Sequence, residues 1–598
     1  MIVHKVFTSM FCSRYITGDR FYIEPTVSSK KIIVIDRVSH VISVQENVGQ
    51  IPREVLPKPI FGVLGVITLL AGPYLVVVTS RHKVGTIAGQ EIWRLGTTEL
   101  LCFHRTVTHL TDTQERMNRV YVTMVESVLA TPHFYFSYTY DITHSQQRLH
   151  NTSPEFLQMA LHHRADSRFL WNSHLLHNFP DSADFSKFLL PIMHGFISIN
   201  SCSLNGKPFT WSIVSRRSCQ RAGTRFFTRG VDKSGNVANF VETEQIVESS
   251  GDRSSFIQTR GSIPLFWQQL PNLKYKPKPS LIPSENHSEA FTKHFEAQIV
   301  DYERQVLVNL VDHRGAEGEM EQAYKHMVNR VSLPDIRYES FDFHHECRKM
   351  RWDRLSVLID RLAHEQDEFG YFLLLRDGTL ASQQTGVFRT NCIDCLDRTN
   401  VVQSMLARRS LNTVLEKLAI LRVGQKVEQQ PQLEALFKAV WADNADVISV
   451  QYSGTGALKT DFTRTGKRTY LGALQDLSNS VTRYYKNNFL DGFRQDSIEL
   501  FLGTYKVDEK ECVTVPCPLA VNRGWKYITF PLILCVAVAM FFANVITPTE
   551  YSTGTLLCLL FWGSMIGVTG STILYYGREF VDYPCLRDIV FPSQNQVA

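Results

Sequence analysis

At 598 residues the chain has room for three or four domains of roughly 150 residues each. Its 44% apolar and 20% charged residues, with 33 Gly and 23 Pro scattered through it, exclude disordered, collagen-like and coiled-coil chains. The 63 Lys and Arg against 58 Asp and Glu leave a net charge of +5, which excludes a histone-like binder and argues against nucleic acid as a partner, and a mean hydropathy of -0.12 excludes a polytopic membrane protein while leaving room for one or two spans.

Short alternating runs such as KKIIVIDRV from Lys30 and FYFSYTYDI from Phe134, broken by Gly, Pro and Asp, predict a strand-rich stretch to about residue 150 and a first domain over residues 1–185. Within it Ile60–Thr79 is apolar enough to suggest a span. Ala71-Gly72-Pro73-Tyr74 splits that run into Gly62–Leu70 and Leu75–Thr79, so a buried β-hairpin is expected instead. The stretches between Lys5, Arg14 and Arg20 hold no signal-peptide core, and the N-terminal part is expected in the cytosol. Twelve dispersed cysteines then read as reduced thiols, and the sequons at Asn151 and Asn286 as unused.

Residues 186–503 read as an α/β domain. From Ser280 a Pro- and Lys-rich loop turns into an amphipathic helix, and helical patterns recur at Trp352–Glu368 and Val401–Ile420. Asn205–Lys278 carries 12 basic and 5 acidic residues, so charge is concentrated there. Five of its arginines, Arg216, Arg217, Arg221, Arg225 and Arg229, suit capture of an anionic substrate if the fold brings them near a phosphate site.

The spacing Cys-x5-Arg, which lets one loop present a thiolate and a guanidinium to one phosphate, occurs three times where chance supplies about 0.8. Cys219–Arg225 is followed by FFTRGVDKSGNVANFVE, a strand-and-turn sequence, and Cys219 reads as a structural residue of a basic strand. Cys517–Arg523 carries Pro518, which removes an amide, and lies in a linker. Only Cys392–Arg398 follows a predicted strand, GVFRTN, and precedes a predicted helix whose free N–H groups and dipole favour an anion.

In that loop Cys392 is the expected nucleophile, with a thiol pKa lowered from about 8.5, and Arg398 the bidentate phosphate clamp. A cysteinyl-phosphate would form and be hydrolysed by water. The leaving alkoxide needs a proton, for which Asp394 is the first choice; Asp397 reads rather as a helix-capping carboxylate. Asn391, Ile393, Cys395, Leu396, Asp397 and Thr399 are read as the substrate cradle. Cys392-x-x-Cys395 as a zinc or dithiol site lacks a second ligand pair, and His344 and His345 are expected to be structural or to touch substrate.

The chain closes on an aperiodic linker, 504–527, and two uncharged stretches set at 528–548 and 556–576, with a tail over 577–598. Arg523 and Lys526 precede the first, Arg578 and Arg587 follow the second, and Glu550 is the charge between them, so both chain ends are expected to be cytoplasmic.

The string Arg389-Thr-Asn-Cys-Ile-Asp-Cys-Leu-Asp-Arg-Thr-Asn400 resembles the signature of the Sac-domain, or suppressor-of-actin, phosphoinositide phosphatases. SRRSCQRAGTRFFTRGVD from Ser215, ANFVETEQ from Ala238, QTRGSIPLFW from Gln258, MRWDRL from Met350 and GTGALKTDFTRTGKRT from Gly454 extend it over the whole chain. The resemblance implies a mixed α+β and α/β chain: a β-rich N-terminal Sac subdomain, an α/β catalytic domain with Cys392, Asp394 and Arg398 at its loop, and a C-terminal transmembrane hairpin. It also implies no metal or other cofactor and action on phosphatidylinositol 4-phosphate, and on the 3-phosphate, at endoplasmic reticulum and Golgi membranes. Membrane-trafficking or contact-site proteins are the implied protein partners. No 5-phosphatase domain of the synaptojanin type fits in the length. Lys459, Arg464 and Lys467, with Arg468, set against Asp461, make Gly456–Tyr470 a basic segment for phosphate recruitment or membrane contact. A tethered lipid-binding protein without turnover and a protein tyrosine phosphatase remain the rival readings.

Overall fold

The computed structural model describes residues 12–587 apart from 27–29, 181, 183, 284, 349–350, 352–353, 466–467, 521–522 and 548–551. Strands β1 (Cys12–Ile16), β2 (Arg20–Pro25), β3 (Lys31–Asp36), β4 (Ile42–Glu46) and β5 (Lys58–Ile60) form an antiparallel sheet in the order β4-β3-β2-β1-β5. The Ile60–Thr79 run folds as a hairpin, β6 (Gly62–Leu69) against β7 (Gly72–Val78), with Leu69 opposite Gly72. Gly72 takes φ +94° at the turn, and a Cβ there would strike His104, so glycine is required. After β8 (Arg81–Ile87) and β9 (Gln90–Leu95), β10 (Thr98–Cys102) adds to β7, and α1 (Asp112–Leu129) packs on this layer behind a Thr111–Gln114 capping box.

The next segment passes through β11 (Phe134–Phe136) and four short helices, α2 (Gln146–His150), α3 (Pro154–Gln158), α4 (Leu161–Arg164) and α5 (Ser173–Leu176). Four long antiparallel strands follow: β12 (Met193–Leu204), β13 (Lys207–Arg217), β14 (Val241–Ser249) and β15 (Asp252–Arg260). A short ladder of β16 (Trp267–Gln268) with β17 (Ser280–Leu281) leads to α6 (His287–Tyr302), whose N-cap is the side chain of Asn286. Then come β18 (Arg304–Asn309), α7 (Gly318–Val331), β19 (Ile336–Ser340), α8 (Phe343–Glu346), α9 (Leu355–Phe369), β20 (Phe372–Leu374), β21 (Leu380–Ser382) and β22 (Gly386–Asn391).

These strands make one twelve-stranded sheet, β19-β18-β22-β15-β14-β13-β12-β11-β9-β8, with β20 and β21 branching from β15. The sheet crosses residue 185 without a break, since β8, β9 and β11 of the first region form its far end. Its character changes at β15: on one side the strands are antiparallel, and on the other β22 runs parallel to both β15 and β18. Parallel strands need both faces covered. Helix α10 (Asp397–Lys417) with α9 supplies one cover through Leu355, Leu358, Val402 and Leu406, and α6 with α7 supplies the other through Phe291, Phe295, Met320 and Tyr324.

Helix α11 (Pro431–Ser453) stacks Phe437 on Trp211 of β13 with Trp441 in the same cluster, and is followed by α12 (Thr460–Thr465), α13 (Tyr470–Phe489) and α14 (Asp491–Leu502), the last packed on α1. The segment after α14 is held to the body. Glu511, 1% exposed, accepts hydrogen bonds from Tyr121 and Tyr505, and Gln114 donates to the carbonyls of Glu509 and Glu511.

Helices α15 (Lys526–Ile546) and α16 (Thr553–Tyr575) pack on each other, and each is long and apolar enough to cross a bilayer while burying almost none of itself in protein. The link between them and Glu550 lie outside the described residues. The chain then returns to the body. Cys585 and Leu586 donate their N–H groups to Asp496 at 2.8 and 2.9 Å, Asp582 accepts from the Phe493 N–H, and Arg523 pairs with Asp582 at 2.9 Å.

Candidate active site

The loop 392–396 joins the C-terminal end of β22 to the N-terminus of α10, the strand-loop-helix setting the sequence predicts. Because β22 lies between two parallel neighbours, its loop opens beside the ends of β18 and β15, where open α/β sheets bind ligands. The strand end is fixed by Asn391, which donates to Asn309 Oδ1 at 2.6 Å while its carbonyl accepts from the Leu310 N–H. Ile393 and Leu396 are anchored in apolar clusters, and Cys395 takes φ +53° to turn the loop.

Cys392 is 3% exposed and at the floor of a cavity of about 850 Å³. Its sulfur accepts from the Cys395 N–H at 3.2 Å and from the Thr399 hydroxyl at 3.6 Å. Eight Lys or Arg line the cavity, among them Arg225, Lys276, Arg348, Arg398 and Lys459, against two carboxyls, Asp394 and Asp397. That imbalance is a field for a multiply charged anion.

Arg398 is held by carboxylates in this arrangement. Its two Nη atoms grip Glu317 at 2.9 and 2.8 Å, and Nη1 also donates to the Leu310 carbonyl. Burial opposes the Arg398 charge, yet Cys392, Glu317 and Asp312 overcome it and keep the guanidinium protonated above its ordinary value. His344 closes this edge, 2.8 Å from Asp312.

The two carboxyls of the loop stand in opposite environments. Asp394 is clamped by Arg225 at 3.0 and 2.7 Å and by Arg229 at 2.6 Å; burial raises its pKa, but the two guanidinium groups outweigh it and hold the carboxyl far below the carboxylate range. Asp397 is the first residue of α10 and does not cap it as expected: Leu396 is the N-cap, and the Asp397 carboxylate accepts from the Leu458 N–H at 3.2 Å. Burial raises the Asp397 pKa, and nearby Arg483 and the Leu458 N–H only partly offset it.

Of the other cradle residues, Leu396 lines the cavity, as does Lys459 of the basic segment, while Asn391, Ile393, Cys395 and Thr399 are outside its lining. Cys395 donates its thiol to the Gly261 carbonyl at 3.0 Å, and burial pushes it up to about 12. Arg464 is turned to Asp443 and Asp446 on α11, outside the cavity lining. Lys467 lies outside the described residues. Among the described residues no group of three or more His, Cys, Asp and Glu is placed to hold a metal.

The basic run around Cys219 divides. Arg225 and Arg229 reach the loop, whereas Arg216 pairs with Glu242 and Glu244 inside the sheet and Arg217 and Arg221 donate to backbone carbonyls of their own turn. Cys219 sits in the turn after β13, not in the strand, donating to the Ser167 carbonyl with its thiol pushed up to about 12 by burial. One site residue, Glu317, carries no sequence signal and arrives only because the chain after β18 ends beside β22. Arg260, fully buried at the end of β15, leaves Nε and Nη1 without a partner; burial draws it down to about 10 while the Cys395 and Cys392 thiols oppose that fall.

Strand, loop and helix in this order, with a doubly hydrogen-bonded thiol and an arginine six residues on, have the architecture of a Cys-x5-Arg phosphate-binding loop. Residues 61–348 match the family described as the SacI homology domain. Over 573 residues the chain is 51% identical to Phosphatidylinositol-3-phosphatase SAC1-B of Danio rerio, covering 95% of this chain and 97% of that protein. It is 53% identical to Phosphatidylinositol-3-phosphatase SAC1 of Drosophila melanogaster, covering 96% of each, and 38% identical to the Saccharomyces cerevisiae SAC1 of the same description, covering 94% of this chain and 92% of that one. The chain belongs to the SacI-homology family.

Proposed function

We propose that this protein is a membrane-anchored phosphoinositide phosphatase that converts phosphatidylinositol 4-phosphate, and also the 3-phosphate, to phosphatidylinositol. The observation that carries this reading is a thiol with two hydrogen-bond donors at the floor of a strongly cationic cavity in a chain that ends in two membrane-length helices. The names of the relatives support the 3-phosphate, and the motif resemblance supports the 4-phosphate. Placement at endoplasmic reticulum and Golgi membranes rests on the same resemblance, and cytoplasmic chain ends on the basic flanks of the spans.

In the first step the Cys392 thiolate attacks phosphorus, the bond to the inositol oxygen breaks, and that oxygen takes a proton from a carboxyl group. Water then cleaves the cysteinyl-phosphate and releases inorganic phosphate. Arg398 joins once phosphate replaces Glu317 on its fork, with loop amides stabilising the equatorial charge. For Asp394 to donate the proton, the incoming phosphate must first take Arg225 and Arg229 from it. Asp397 needs no such exchange, and burial already favours its protonated form.

Phosphate release from short-chain 4- and 3-phosphoinositides, measured beside a phosphotyrosine peptide, tests the assignment: turnover of the lipids alone is expected, and equal rates on the peptide would overturn it. The pH profile separates the two acids. A donor works only while protonated, so kcat falls as pH rises through its pKa, and a raised pKa moves that fall toward neutrality. Asp397→Asn is expected to remove this alkaline limb with a rate loss of roughly 10²-fold, and the limb surviving in Asp397→Asn but vanishing in Asp394→Asn would transfer the role to Asp394.

A further inference from the structure

Helix α13 is amphipathic, with its polar face turned inward. Tyr470, Leu474, Leu477, Val481 and Tyr485 fall at helical spacing on one side, with Leu471 beside them, and these six are between 45% and 80% exposed. The opposite side is polar, and its C-terminal part is buried through Arg483, Asn487 and Asn488. Arg483 donates to Thr455 and the Gly456 carbonyl, and Asn487 to the Ser453 carbonyl, so these bonds hold the apolar stripe outward. A stripe of this length, about 22 Å of a twenty-residue helix, is a surface that soluble chains rarely leave in water.

The stripe runs into the base of the helix pair. Tyr485 meets Phe489 at 5.5 Å between ring centroids, and Phe489 packs with Tyr527, Phe530, Ile573 and Tyr576 around Leu273 and Phe580. Exposed Tyr275 and Trp525 lie on the segments that flank this junction, as aromatic residues do at a membrane-water boundary. The inward side of the same helix contributes Arg483, Tyr484 and Asn487 to the wall of the catalytic cavity.

We propose that α13 lies in the membrane interface, with its apolar stripe at the headgroup-acyl boundary of the bilayer that holds α15 and α16, so that one helix touches lipid on one side and walls the active site on the other. The proposal rests on the reading of α15 and α16 as membrane spans. A lipid surface is the occupant because the stripe is continuous with the apolar base of those spans.

The test uses the full chain in proteoliposomes with benzoylphenylalanine placed at Leu477. Irradiation is expected to give a lipid adduct; crosslinking only to protein, or none, overturns the proposal. Alkaline carbonate extraction of the same sample keeps the two readings apart, because retention in the pellet without a lipid adduct sinks the interfacial helix alone, whereas release sinks the anchor as well. In parallel, Leu474→Ser/Leu477→Ser/Val481→Ser is expected to lower turnover of long-chain substrate in its own bilayer at least tenfold while short-chain substrate in detergent is hydrolysed within twofold of the unaltered chain. Unchanged turnover in the bilayer counts against the proposal.

Discussion

Cys392→Ser is expected to lower phosphate release by roughly 10⁴-fold or more while the chain stays folded. A hydroxyl in the same pocket keeps the contacts from the Cys395 N–H and Thr399, but a serine hydroxyl is a far weaker nucleophile than a cysteine sulfur near neutral pH. The substitution is close to isosteric, so a loss of this size reports chemistry and not packing. Rapid acid quench with labelled substrate checks the same point: a phosphorylated protein is expected from the unaltered chain and none from the variant. Retained turnover in Cys392→Ser would remove the thiol mechanism altogether.

Arg398→Lys is expected to lower kcat by roughly 10²- to 10³-fold. Lysine keeps the positive charge and an ion pair to Glu317, so the field on Cys392 and the edge of the cavity are largely preserved. What is lost is the planar fork that grips two phosphoryl oxygens as their charge grows in the transition state. Single-turnover kinetics are the suitable measurement, because the loss belongs to the chemical step; a fall of less than tenfold would mean that Arg398 acts only as a point charge.

How much of this was legible in the sequence depended on whether the signal was local. The hairpin at Ile60–Thr79, the strand GVFRTN, the helix after Cys392 and the two membrane-length helices each follow from neighbouring residues, and the structure holds all of them. The observed helices start earlier than periodicity suggested at α10, since Asp397 to Asn400 are polar and carry no period. Asp394 illustrates the limit. Its role as acid or counter-ion turns on Arg225 and Arg229, more than 160 positions away, which the β13–β14 connection delivers to the loop. No local pattern could tell those two arginines from Arg216, which pairs inside the sheet, or Arg217, which bonds to its own turn. The same applies to the segment 504–525, whose aperiodic composition reads as a tether although Glu511 is locked into the first region by Tyr121.

Asp496 on α14 sets an order of assembly. Burial raises its carboxyl to about 7, and the donors that reach it are the N–H groups of Cys585 and Leu586, which lie beyond the second of the two long apolar helices in the chain. A ribosome completes both apolar helices before it makes those two residues. The body therefore receives these hydrogen bonds only after the helix pair has been synthesised, and a chain cut short before residue 585 leaves α14 with a carboxyl in want of partners. Final closure of the body is thereby tied to biosynthesis of the two apolar helices.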